Sequence, residues 1–121
     1  MMRRKILIAD DEVGVRESYR MIFKDGYEVL EAGNGDEALK ILQNTRPDVI
    51  LLDIIMPHMN GVEVLKEIKS IDKQLPVIVI TAIKNTQMGK EAMKLGAFAY
   101  LTKPFDVMEL QQVVQRALIQ K

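Results

Sequence analysis

The chain has 121 residues, 48% of them hydrophobic, and 17 basic residues stand against 17 acidic ones. That length fits one domain able to bury a core without staples, while the neutral balance removes a broadly basic nucleic-acid surface. Cysteine is absent, which excludes disulfides, thiol nucleophiles and cysteine-held zinc. No apolar run approaches the roughly 18 residues that cross a bilayer, and no signal-peptide core precedes the first apolar run. Aromatics at 5% leave little for stacking bases. A cytoplasmic domain with no direct nucleic-acid binding and no membrane partner is expected.

In chain order, Lys5-Ile-Leu-Ile-Ala9 reads as the first strand. Val15, Tyr19, Ile22 and Phe23 follow at helical spacing, with Gly26 as the expected stop. Tyr27-Glu-Val-Leu-Glu31 alternates and reads as an edge strand. Asn34 with Glu37 resembles a capping box ahead of Ala38, Leu39 and Leu42, and Pro47 bars continuation. Asp48-Val-Ile-Leu-Leu52 is the third strand, and Val62, Leu65 and Ile68 give the third helix. Pro76-Val-Ile-Val-Ile80 is the fourth strand. Residues 84–95 carry a thin stripe of Met88, Ala92 and Met93, and Gly89 costs about 1 kcal/mol of helix propensity against alanine. Phe98-Ala-Tyr-Leu101 is the fifth strand. Asp106, with Glu109 three residues on, caps a last helix whose stripe is Leu110, Val113, Val114, Ala117 and Leu118.

Runs that are apolar throughout are buried on both faces, as in a parallel sheet covered by helices. Five β-α units in strict alternation predict an α/β fold, a doubly wound parallel sheet with right-handed crossovers. The carboxyl ends of parallel strands share one edge, where ligands bind in such folds. Asp10 and Asp11 follow the first strand, Asp53 the third, Thr81 the fourth, and Thr102 and Lys103 the fifth. Three carboxylates, a hydroxyl and an ammonium therefore converge on one rim. Clustered carboxylates repel unless a cation joins them. Hard oxygen ligands without cysteine or strand-end histidine suit Mg²⁺. Metal and lysine would balance the three aspartates, and with the hydroxyl they would form a pocket for a phosphoryl group.

Asp10-Asp11, Asp53 within Asp53-Ile-Ile-Met-Pro-His-Met-Asn-Gly61, Thr81-Ala82 and Lys103-Pro104-Phe105 together resemble the receiver domain of bacterial two-component response regulators. The resemblance runs from about Lys5 to Leu118. It implies a flavodoxin-like strand order, 2-1-3-4-5, and one receiver domain over residues 1–121 with no output domain. By the resemblance, Asp53 would take a phosphoryl group from a histidine kinase's phosphohistidine. Asp10, Asp11, Asp53 and the main-chain carbonyl of Ile55 would hold Mg²⁺, with Mn²⁺ able to substitute. Thr81, Ala82 and Lys103 would hold or make room for the phosphoryl oxygens. Tyr100 would turn inward as Thr81 moves toward the phosphate, and Lys103-Pro104 is commonly cis in this family. Expected partners are a sensor histidine kinase or phosphotransfer protein, and an output domain or effector. The output side would engage the 84–95 helix, the last strand and the last helix, and a phosphorylation-dependent homodimer is a further implied state. Ile55 is apolar where a polar side chain could orient attacking water, so self-dephosphorylation is expected to be slow. A stand-alone receiver, a phosphorelay shuttle and the front of a longer regulator all stay open.

Other readings compete. Asp10 could be the nucleophile of a haloacid-dehalogenase-like phosphatase, although Asp10-Asp11-Glu12-Val13 departs from that family's pattern at its second acid. Gly33-Asn-Gly35-Asp-Glu-Ala38 is formally a dinucleotide fingerprint, with Asp53 about 20 residues on. The glycines have a plainer use at a helix entry, and the fingerprint leaves Asp10, Asp11, Thr81 and Lys103 unexplained. His58 reads as a solvated loop histidine, and Arg3-Arg4-Lys5 as a solvated basic terminus.

Overall fold

The structure, a computed structural model, describes residues 3–56, 59–84 and 86–119; His58 lies outside them. Five parallel strands form one sheet: β1 (Arg4–Ala9), β2 (Tyr27–Ala32), β3 (Val49–Leu52), β4 (Val77–Thr81) and β5 (Ala99–Thr102). Their spatial order is 2-1-3-4-5, so β2 and β5 are the edges. Each strand lies within one or two residues of its expected span, because continuous Val/Ile/Leu runs can be satisfied only with both faces covered.

Alternation along each strand divides the core. Leu7, Ala9, Ile50, Leu52, Val77 and Val79 face one layer, formed by α2 (Gly35–Asn44), α3 (Gly61–Ile71) and α4 (Thr86–Lys94). Ile6, Ile8, Val49, Leu51, Ile78 and Ile80 face the other, formed by α1 (Val13–Phe23) and α5 (Val107–Ile119). The α5 stripe is buried as read, through Leu110, Val113, Val114 and Ala117. Asp106 Oδ1 accepts from the Glu109 amide at 3.0 Å, which satisfies one of the first-turn donors.

Three local expectations are corrected. The Asn34–Glu37 box is opened by one residue. Asn34 Oδ1 accepts from Glu37 N at 2.9 Å, but Glu37 Oε1 reaches back to the Gly33 amide at 2.6 Å. The Gly33-x-Gly35 segment is thus a helix entry with its first amide already taken, not a phosphate cradle. Gly26 does not supply a left-handed stop; α1 ends at Phe23, and the Gly26 amide bonds the Phe23 carbonyl at 3.2 Å. Met93 points to solvent instead of joining the stripe, and among the described residues of α4 only Ala92 is buried.

The left-handed glycine sits at the end of α4. Gly96 has φ +101; its amide bonds the Met93 carbonyl at 3.1 Å, and the Ala97 amide bonds that of Ala92 at 3.0 Å. This paired 5→2 and 6→1 arrangement is a Schellman closure. Gly96→Ala is expected to cost ~1–2 kcal/mol through the left-handed backbone alone, read as a lower urea midpoint with an unchanged slope.

Candidate phosphoacceptor and cation site

The sheet ladder runs one residue past three strands and thereby mounts the rim. The Asp10 amide donates to the Ala32 carbonyl at 3.1 Å, Asp53 to Ala9 at 3.0 Å, and Lys103 to Thr81 at 2.8 Å. Asp10 is 1% exposed, Asp53 5% and Thr81 0%; Asp11 is half-buried and Ala82 exposed.

Asp10 and Asp53 use their oxygens alike. One oxygen fixes the aspartate's own loop: Asp10 Oδ1 accepts from the Glu12 amide at 2.9 Å, and Asp53 Oδ1 from the Ile55 amide at 2.8 Å. The other takes Lys103 Nζ, at 2.8 Å on Asp10 and 2.9 Å on Asp53. Lys103 is the cation that lets two buried carboxylates sit side by side. Burial alone would lower its pKa, but its bonds to Asp10 and Asp53 outweigh that and hold it above the ordinary lysine value.

Carboxylate oxygens of Asp10, Asp11 and Asp53 lie within 4.8 Å of one another. Three hard oxygen donors converging with one lysine for counter-charge fit a divalent cation of the Mg²⁺ type. Thr81 Oγ1 is buried and has no hydrogen-bond partner, an unusual state for an interior hydroxyl. A donor held in reserve beside a carboxylate pair is suited to an incoming oxyanion.

Tyr100 lies half-buried on β5, and its hydroxyl donates to the Ile83 carbonyl at 2.8 Å, tying β5 to the segment after Thr81. Burial first, and the Asp53 charge second, raise its pKa. Its ring packs on the Gly89 face of α4, where an ideal Cβ at Gly89 would make ordinary van der Waals contact with it at 3.4 Å. The Lys103–Pro104 peptide is cis. Ile55, 45% exposed, turns its side chain outward at the rim.

Two contributors escaped the sequence reading. Tyr19, read only as core, stacks on Phe105 with centroids 5.3 Å apart and an interplanar angle of 14°, so α1 braces the segment that carries Lys103. Burial, then the charges of Asp10 and Asp53, push its hydroxyl pKa well up. Gly61 is the second. An ideal Cβ there would lie 2.2 Å from Ile54 Cα and 2.3 Å from its carbonyl oxygen, so the start of α3 rests directly on the backbone next to Asp53. An Asn-Gly pair is a turn signal in sequence, but it carries no sign of this close approach.

At its strand ends this doubly wound five-stranded domain thus carries a buried carboxylate pair, a bridging lysine and an unpartnered hydroxyl. The family model described as response regulator receiver domain matches residues 6–115, and the chain belongs to that family. It is 43% identical over 119 residues to sporulation initiation phosphotransferase F of Bacillus subtilis, covering 98% of this chain and 96% of that protein. Against regulatory protein AtoC of Escherichia coli it is 45% identical over 115 residues, 94% of this chain but 25% of the relative. A CheY-like receiver domain structure from Methanospirillum hungatei superposes with a TM-score of 0.94 at 28% identity, over 98% and 96% of the two chains. Nothing in these matches supports the phosphatase alternative on Asp10. Among the described residues no helix is long and apolar enough to cross a membrane.

Proposed function

We propose that this domain is a phosphorylation-driven switch in which Asp53 accepts a phosphoryl group from the phosphohistidine of a sensor histidine kinase or phosphotransfer protein. The observation that carries the reading is the buried Asp10–Lys103–Asp53 triad beside the partnerless Thr81 hydroxyl. An Asp53 carboxylate oxygen attacks phosphorus as the bond to the donor imidazole nitrogen breaks, giving an aspartyl phosphate and a free histidine. Asp10, Asp11, Asp53 and the Ile55 main-chain carbonyl would hold Mg²⁺, or Mn²⁺ in its place. Bound there, the ion supplies neutralising charge for the phosphoryl oxygens. Lys103 swings from bridging two carboxylates to pairing with a phosphoryl oxygen, the Thr81 hydroxyl donates to another, and small Ala82 leaves room beside them.

The product makes the pocket about one charge more negative, since a near-dianionic group replaces one carboxylate charge. Inverting a 1:99 equilibrium takes about 5.5 kcal/mol, within reach of two or three charge-assisted hydrogen bonds at ~1.5–3 kcal/mol each. Movement of Thr81 releases the segment that Tyr100 holds at Ile83, and Tyr100 turns inward. The responding surface is α4, β5 and α5, where Met93, Val107 and Met108 stand exposed for an output domain, effector or second copy.

Incubation with Mg²⁺ and acetyl phosphate is expected to add one phosphoryl mass to the intact chain, and Asp53→Asn to abolish it. An adduct surviving that substitution would reassign the acceptor. Because Ile55 offers no polar group to attacking water, the purified phosphoprotein is expected to keep its label for minutes or longer in Mg²⁺ buffer; loss within seconds would contradict this.

A further inference from the structure

Arg16, in the first turn of α1, makes contacts that the switch reading does not use. Its Nη1 donates to the main-chain carbonyl of Asp10 at 2.6 Å, and its Nε to Glu31 Oε1 on β2 at 3.2 Å. The other oxygen of Glu31 accepts from Arg20 Nε at 2.6 Å. The guanidinium lies close over Gly33, where an ideal Cβ would be 3.5 Å from Nη1. At 17% exposed, Arg16 joins the loop after β1, the edge strand and the entry to α2.

The carbonyl it holds belongs to the peptide unit linking Asp10 to Asp11. That unit is planar, so holding its oxygen restrains the turning of the plane, and with it ψ of Asp10 and φ of Asp11, on which the directions of both side chains depend. Fastening α1 to β2 would need only the bond to Glu31; the Asp10 contact acts on the rim itself. A planar fork with donors in fixed directions can serve carbonyl and carboxylate together, which a lysine's point charge cannot. Glu31 also cancels a positive charge that would otherwise oppose a divalent cation close by.

We propose that Arg16 is a positioning residue for the divalent-cation site, holding the Asp10–Asp11 peptide from behind with Glu31 as its anchor and counter-charge. The inference rests on the reading of Asp10, Asp11 and Asp53 as cation ligands.

The test titrates Mg²⁺ by calorimetry into the full 121-residue chain and into Arg16→Met, Arg16→Lys and Glu31→Gln, with urea unfolding of each in EDTA. Arg16→Met is expected to raise the Mg²⁺ dissociation constant about tenfold or more, as loss of a ligand-orienting group typically does. Phosphorylation by acetyl phosphate should return close to the wild-type rate at saturating Mg²⁺. Arg16→Lys should recover little of the affinity, and Glu31→Gln should weaken it severalfold; these two decide the matter if the methionine variant does not fold. A drop in stability with Mg²⁺ affinity within about twofold of wild type would reduce Arg16 to a fastener and overturn the proposal. Wild-type affinity in Arg16→Lys would overturn it too, by showing that charge alone matters. Wild-type acetyl phosphate labelling reports separately on the switch. A wild type that binds Mg²⁺ but is not labelled at Asp53 sinks that reading and leaves the affinity comparison to decide on Arg16, whereas a wild type that binds no Mg²⁺ overturns both.

Discussion

Lys103→Met is expected to lower stability by about 3 kcal/mol at neutral pH, the low end of the range for breaking a buried ion pair because water reaches the rim. The substitution keeps most of the aliphatic volume and removes the cation that, among the described residues, bonds both Asp10 and Asp53. Urea unfolding followed by circular dichroism measures the loss, and added Mg²⁺ should recover part of it in the variant by supplying the missing charge. The pH dependence has a definite sign. A lysine whose pKa is raised in the folded state contributes in full below its unfolded value, and that contribution is lost as pH climbs through the higher folded value. The stability gap between wild type and Lys103→Met should therefore stay flat through neutral pH and begin to close only above the ordinary lysine value of 10.5. A gap that closes near neutrality would mean that Lys103 is not what balances the carboxylates.

Gly61→Ala is expected to be a damaging single-methyl change at the first residue of α3. The added carbon would sit inside the van der Waals envelope of the Ile54 backbone, and no rotamer can relieve a clash with main chain. Either α3 lifts or Ile54 shifts, and Ile54 lies between Asp53, whose amide is tied to the Ala9 carbonyl on β1, and Ile55, whose amide donates to the Asp53 carboxylate. A stability loss of ~2–3 kcal/mol follows from overpacking of this kind. Displacing a reacting group by about 1 Å can cost roughly a hundredfold in rate, so labelling by acetyl phosphate should slow even where the variant is fully folded. Wild-type labelling in a folded Gly61→Ala would show that the loop absorbs the methyl without moving Asp53.

What the sequence made legible follows from how far each signal reaches along the chain. The strands are local and unambiguous, and once they are parallel the convergence of Asp10, Asp53, Thr81 and Lys103 is geometry. The asparagine at the entry to α2 and the aspartate before α5 announce themselves through short-range capping chemistry. Gly61 did not, because its requirement is set by backbone from the preceding loop. Arg16 and Glu31 are 15 residues apart and carry no spacing rule that joins a helix to an edge strand. Gly26 and Gly96 look alike as helix-ending glycines; only the paired hydrogen bonds after α4 single out the second as left-handed. Tyr19 was legible as core, but its stack on Phe105 depends on the path that the chain takes after Lys103.

The split core gives the molecule two mechanical registers. β1, β3 and β4 are sealed on both faces and carry Asp10, Asp53 and Thr81 at or just past their ends. Amide hydrogens there should exchange only through opening of the whole domain. β5 is an edge, and α4 is pinned chiefly by Ala92, so its amides can exchange through local excursions far cheaper than unfolding. The chemistry we propose is thus mounted on the most protected strands, and the responding surface we propose includes the least protected elements. The outer elements can sample their alternative state many times within the life of one native molecule, without the carboxylates losing their alignment.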